Sequence, residues 1–143
     1  MNVATILKLK GRSVATARPD SSLLEVVAKL NAKRIGAIVV VGDNAHVAGI
    51  ISERDVIRAI AEGGVDALQW PVSEVMTADV ISCHEASMLD DMMELMTQGR
   101  FRHLPVMEDG ALVGIISIGD VVKNHVAEVE LEAQSMRSYL ATG

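Results

Sequence analysis

Two serine–aspartate pairs, Ser52/Asp55 and Ser117/Asp120, stand at the same three-residue spacing, each beginning where a Gly-Ile-Ile-Ser run ends. A hydroxyl three residues ahead of a carboxylate can do one of two things. It can close a helix N-terminus as a capping box, which stabilises the helix by about 1 kcal/mol. Alternatively, the carboxylate can face a cleft and accept from both hydroxyls of a ribose, as acidic residues do in other nucleotide sites. Close by in sequence stands Arg100-Phe101-Arg102-His103-Leu104-Pro105-Val106, two guanidinium groups and an imidazole at the mouth of an apolar run. Guanidinium groups bind phosphate oxygens in bidentate fashion, and the same side chains read equally well as solvated surface cations. His46, His84 and His125 lack spaced partners and read as surface residues. Cys83 is the single cysteine, so it has no internal disulfide partner and reads as a buried strand residue. There is no Walker-type glycine loop, no zinc motif and no cysteine set beside a base. The expectation is therefore no catalytic residue, no metal site and no enzyme.

These residues need elements to hold them, and the chain builds the same elements twice. Gly49-Ile50-Ile51-Ser52 returns as Gly114-Ile115-Ile116-Ser117, an offset of 65 residues (49 to 114). In the first copy a short amphipathic segment over 3–9 precedes a break at Lys10-Gly11-Arg12 and a short strand near 14–17. Ser21-Ser22 then opens a helix with Leu23, Val26, Val27 and Leu30 on one face. The β-branched run 37–41 reads as a buried strand, 46–51 as the next, and Ser52 starts a helix that fades at Gly63-Gly64. The second copy repeats the order. Residues 80–83 form its short strand, Ser87 opens a helix with Leu89, Met92, Met93 and Met96 inside, 103–107 and 112–116 are strands, and Ser117 opens the last helix.

The expected fold is α/β (α+β): two β-α-β-β-α repeats packed about a pseudo-two-fold axis that creates two related clefts. The divisions are 1–64 for the first repeat, 65–75 for a connector holding Trp70 and Pro71, 76–126 for the second repeat, and 127–143 for an extended C-terminal helix. Repeats of this size sit near the lower limit for an independent core, which favours their packing together. Along the last helix Val122, Val126, Val129, Ala133, Met136 and Leu140 follow a heptad-like spacing. That seam either packs on its own domain or meets a second copy.

Composition narrows the partners. The 143 residues are 50% hydrophobic but only 2% aromatic, so the core is aliphatic and base-stacking platforms are scarce. A net charge of −6 opposes binding to nucleic acid or an anionic membrane. The first residues lack a secretory signal and no run is long enough for a membrane span, so a cytoplasmic location is expected.

The two Gly-Ile-Ile-Ser-x-x-Asp motifs at 49–55 and 114–120, Arg-His-Leu-Pro-Val at 102–106 and the connector Val72-Ser73-Glu74-Val75-Met76-Thr77 together resemble a tandem pair of CBS domains, or Bateman module. The resemblance covers about residues 3–126, and with nothing catalytic fused to it the chain is similar to the small stand-alone bacterial members. It implies a regulatory module that binds an adenine nucleotide (AMP, ADP, ATP, NAD or NADH, with S-adenosylmethionine a further family ligand), senses energy or redox state and modulates an unknown protein target. It also implies a homodimer, formed through the repeat helices and the C-terminal helix. Carried over by motif, one site uses Asp120 and Ser117 for ribose, Lys10, Ala15, Ile35, Gly36, Ala37 and Ile115 around the base, and Arg102 with His103 for phosphate. The other uses Asp55 and Ser52, with Thr77, Ile81, Phe101 and Ile50 around the base. Gly36-Ala37 stands where the second copy has Arg102-His103, so the Asp55 site draws on Arg54, Arg34 or a second subunit for charge, and unequal affinities are expected. The competing expectation is a structural dimerisation module without ligand, because the Ser–Asp pairs have a complete capping role on their own.

Overall fold

The computed structural model describes residues 1–142. Two compact units emerge: one comprises Met1–Arg12, Ser82–Glu108 and Gly114 onward, the other Ser13–Ile81 and Asp109–Val113.

The Ser13–Ile81 unit contains a three-stranded sheet of order β1-β2-β3, with β1 (Thr16–Ala17), β2 (Ala37–Val41) and β3 (Val47–Ser52). β1 runs parallel to β2, pairing Thr16 with Val39, and β2 runs antiparallel to β3, pairing Ile38 with Ile51 and Val39 with Ile50. A continuous β-branched run suits a strand buried on both faces, and here Ile38, Val39 and Val40 are fully buried. Helix α2 (Leu23–Lys33) starts where expected: the Ser22 hydroxyl accepts from the Glu25 amide at 3.2 Å. It turns Leu23, Val26 and Leu30 into the core and stops at Arg34, which sits in the left-handed region with φ 53°. Helix α3 (Glu53–Gly63) follows β3 directly, and a 3₁₀ stretch over Gly64–Gln69 leads to the one-turn helix α4 (Val72–Val75).

In the other unit, helix α1 (Val3–Lys10) is capped by Asn2, whose side-chain oxygen accepts from the Thr5 amide at 3.1 Å. Its partners lie in the second repeat. The Val3 and Ala4 amides donate to the Ser87 and Glu85 carbonyls, both at 2.9 Å, and Leu7 lies so close to Gly114 that a Cβ there would stand 2.7 Å from a Leu7 methyl. Strands β4 (His103–Glu108) and β5 (Ala111–Ser117) pair in a two-stranded sheet, flanked by α5 (Leu89–Gly99) and the 25-residue α6 (Ile118–Thr142). Val3, Ile6, Leu7, Leu89, Met92, Met96, Leu104, Val106, Ile116 and Val121 are buried. The core is aliphatic, as the composition requires.

Two local expectations change. Residues 80–83 form no strand beyond a single parallel bridge between Cys83 and Val106, because turns consume the backbone on both sides: Val80 N–H donates to Ala78 O, and Ser87 N–H to His84 O, both at 3.0 Å. Ser87 does not cap α5. Its hydroxyl accepts from the His84 amide at 3.0 Å to close that turn, Met88 takes the cap position with no side-chain bond, and the Leu89 amide is satisfied by the Met1 carbonyl at 3.1 Å. Cys83 is 3% exposed, and burial pushes its thiol up to about 11. A thiol-specific reagent at neutral pH should accordingly leave the native chain unmodified and titrate one thiol once it is unfolded; rapid reaction of the native chain would contradict this burial.

Along α6 the seam residues Val122, Val126, Val129, Met136 and Leu140 are 48%, 48%, 49%, 60% and 69% exposed. Their own domain thus leaves about half or more of each of these side chains uncovered. Among the described residues no helix is long and apolar enough to cross a membrane.

Candidate functional site

Both strand-to-helix joints fold as reciprocal caps. At the start of α6 the Ser117 amide donates to Asp120 Oδ2 at 2.9 Å, and the Asp120 amide donates to the Ser117 hydroxyl at 3.2 Å. Lys10, at the end of α1, places its ammonium 2.5 Å from the same Oδ2, and the Asn124 side-chain amide holds the Asp120 carbonyl at 2.7 Å. The Ile118 amide donates to the Arg102 carbonyl at 2.7 Å, which fixes the Arg102-His103 start of β4 against this joint. Ile115 precedes Ser117 on β5 and is half-buried, as are His103 and Asp120, while Arg102 is exposed. Burial alone raises the Asp120 carboxyl, but the Lys10 hydrogen bond and charge, with the Ser117 donors, outweigh it and hold the group below its ordinary value of 3.8.

That lowering has a sign. A depressed carboxyl stabilises the fold fully above its unfolded value and loses that contribution as pH falls through the lower folded value. The stability advantage of the native chain over Asp120→Asn should therefore be constant near neutrality and shrink at pH below about 4, read by urea unfolding across that range. A gap that stays the same at acid pH would count against the Lys10–Asp120 pairing.

In the other unit the same joint is tighter. Asp55 is 6% exposed, the one charged side chain buried among the described residues. Its Oδ2 accepts from the Ser52 amide at 2.9 Å and the Ser52 hydroxyl at 3.1 Å; its Oδ1 accepts from the Arg58 guanidinium and from the Thr77 hydroxyl at 3.4 Å. Thr77 is held there by a bridge to Ile50, Ile50 N–H to Thr77 O at 3.0 Å and Thr77 N–H to Ile50 O at 2.8 Å. Gly49 must be glycine for this approach, since a Cβ would stand 2.8 Å from the Thr77 carbonyl oxygen. The Glu53 amide donates to the Gly36 carbonyl at 3.0 Å, the counterpart of the bond to Arg102. Arg54 and Ile81 are exposed.

The structure thus joins Lys10, Arg102, His103, Ile115, Ser117 and Asp120 in one unit, where the half-buried Phe101 also lies with its ring over Gly99. In the other it joins Ile50, Ser52, Asp55 and Thr77 around one joint, and sets Ala15, Ile35, Gly36 and Ala37 at the ends of β1 and β2. The Ala15 carbonyl accepts from the Val39 amide at 3.1 Å. Arg34, Ile35 and Gly36 line an open cavity of about 500 Å³ with Val27, Leu30, Val56 and Ile57. Arg34 and Arg100, two of the candidate cations, end α2 and α5 in the left-handed conformation. Sequence reasoning missed Arg58 and Asn124. Their signal was i+3 and i+4 spacing from the two aspartates, which places a side chain on the same helix face.

A family model for the CBS domain matches residues 9–62 and again 72–126. The CBS-domain containing protein ATU1752 from Agrobacterium tumefaciens is 50% identical, covers 85% of this chain and 91% of its own, and superposes with a TM-score of 0.83. CBS domain-containing protein CBSX3, a mitochondrial protein of Arabidopsis thaliana, is 33% identical over 99% of this chain and 72% of its own length. The CBS domain pair of protein MJ0100, solved in complex with 5′-methylthioadenosine and S-adenosyl-L-methionine, is 25% identical with a TM-score of 0.80 and covers 90% of this chain and 98% of that one. With two matched repeats, one strand-to-helix joint built twice and relatives aligned along nearly its whole length, this chain belongs to the CBS-domain family.

Proposed function

We propose that this chain is a regulatory module without catalytic chemistry that binds an adenine nucleotide and passes its occupancy to a protein target. Asp120 carries the proposal. The Lys10 ammonium and the Ser117 amide both bind Oδ2, so Oδ1 is the oxygen offered to a ribose while Lys10 and Ser117 keep the carboxylate ionised. In the same unit Arg102 and His103 supply the phosphate end, and Ile115 an apolar contact for the base. The adenosine ligands of the MJ0100 domain pair support the ligand class. The Asp55 site, with Ser52, Ile50, Arg54, Thr77 and Ile81, is the weaker of the two, because both oxygens of its carboxylate are already engaged. A ribose there must displace Arg58 and Thr77.

Thermal unfolding with AMP, ADP, ATP, NAD, NADH and S-adenosylmethionine, and GMP as control, tests the ligand class. A ligand at 100 times its Kd adds about 2.7 kcal/mol, roughly several degrees for a chain of this size. Shifts with adenine ligands alone support the module; no shift with any of them, from nucleotide-free protein, favours a structural dimerisation module instead. The complete capping of both aspartates without ligand is the observation on that side.

The homodimer belongs to either reading. The exposed α6 seam repeats in the 4-3 spacing with which two identical helices interdigitate, and a second copy is the occupant that matches it. Val126→Asp combined with Val129→Asp should convert a dimer to a monomer in sedimentation equilibrium while leaving circular dichroism unchanged. A dimer that survives both charges would assign the contact to the other repeat helices.

A further inference from the structure

Away from both serine–aspartate joints, Asp90, His125 and Glu128 bring one ligand atom each to within 4.8 Å of one another. Asp90 lies in the first turn of α5; His125 and Glu128 stand three residues apart on α6, so they project from one helix face. A second observation concerns the same imidazole. Among the described residues His125 Nδ1 is the one buried side-chain nitrogen or oxygen with no hydrogen-bond partner. An orphan buried polar atom costs about 1–3 kcal/mol, and such a group calls for a partner the chain itself does not supply. Glu128 Oε1 lies 2.7 Å from the Met1 amino group, which a metal ion bound through that oxygen has to displace.

We propose that Asp90, His125 and Glu128 form a binding site for a divalent first-row metal ion, with zinc the best match. One imidazole and two carboxylates suit zinc, which takes nitrogen and carboxylate oxygen at about 2.0–2.2 Å in a tetrahedron. Donors at that range stand roughly 3.4 Å apart, so a pair at the 4.8 Å limit must close by about 1.4 Å. Asp90 is exposed and at the start of its helix, where its side chain is free to swing inward. The imidazole disfavours calcium and magnesium, which take oxygen ligands, and the absence of thiolate from the cluster disfavours copper(I). The ion would tie the first turn of α5 to the middle of α6 and leave a fourth position for water. Neither aspartate of the nucleotide proposal takes part, so the two readings stand or fall separately.

The full chain, stripped with a chelator, is titrated with zinc chloride by calorimetry and with cobalt(II) by visible absorption, while the four histidines are followed by imidazole NMR. One equivalent of zinc, cobalt bands of a low-symmetry site and a shifted His125 signal are expected, with affinity lowered at least about tenfold in His125→Gln and in Asp90→Asn. His84→Gln should bind as the native chain does, since His84 Nδ1 already pairs with the Met107 carbonyl at 2.8 Å. No binding by the native chain, unchanged affinity in His125→Gln, or a shift confined to another histidine would overturn the site. The NMR readout on the native chain decides the matter if a variant does not fold.

Discussion

Asp120→Ala is expected to weaken adenosine-ligand binding by about a hundredfold or more while the chain still folds cooperatively. The magnitude follows from chemistry at one atom pair. Two ribose hydroxyls donating to an ionised carboxylate each contribute about 1.5 kcal/mol or more, and about 2.7 kcal/mol corresponds to a hundredfold. The structural loss is smaller: Asp120 is half-buried, and its removal takes away one cap, about 1 kcal/mol, and the Lys10 pair, whose side chains are 32% and 23% exposed. Calorimetric titration with the ligand ranked first by thermal shift reads the affinity, and urea unfolding reads the stability. Unchanged affinity in a folded variant would place the ribose elsewhere, whereas a native chain that binds nothing would remove the nucleotide proposal itself.

The same substitution in the other repeat should invert this balance. Asp55→Ala strips partners from the Ser52 amide, the Ser52 hydroxyl, Thr77 and Arg58 at a position 6% exposed. Each buried donor left unpaired costs about 1–3 kcal/mol, so stability falls more than for Asp120→Ala while affinity falls less. The two copies of one motif thus divide by what stands around each carboxylate, and the stronger binding role proposed above falls to the one less engaged by its own chain.

That division was only half legible in the sequence. The Ser-x-x-Asp spacing after an apolar run dictates a strand-to-helix joint with a reciprocal cap, and both joints form because capping is decided within four residues. The same locality made α2, β2, β3 and α3 readable, since their apolar periods and their Ser22 and Ser52 caps sit inside each element. Ser87 failed as a cap because the competing turn with His84 is also local and claims the same hydroxyl. What no local pattern carries is which element lies beside which. Lys10 reached Asp120 across 110 residues of sequence, and the position could be named only through the family resemblance. His125 read as a surface residue because Asp90, the third member of its cluster, stands on another helix. The location of α1 is the largest such case: by sequence order it precedes the first repeat, yet its hydrogen bonds run to Glu85 and Ser87 and its core face meets β5.

The contact between α1 and β5 should therefore behave as a core contact of the second repeat. Leu7 is fully buried, and removing its isobutyl group in Leu7→Ala is expected to cost about 2–5 kcal/mol, lowering Tm by roughly ten degrees. Gly114→Ala is also destabilising, because its new Cβ would stand 2.7 Å from Leu7 Cδ2 and 2.8 Å from Cδ1, and a fully buried leucine has no open space to retreat into. The two changes touch the same few cubic ångströms with opposite signs. In the double variant the alanine at 114 occupies part of the void left at 7, so its loss should be smaller than the two single losses added together, a coupling of about 1 kcal/mol or more by denaturant unfolding. Strict additivity would mean that α1 does not rest on Gly114. Lys10 lies one turn beyond Leu7 on the same helix, so a chain that loosens α1 also releases the ammonium from Asp120. Leu7→Ala is accordingly expected to weaken ligand binding with the binding residues themselves intact.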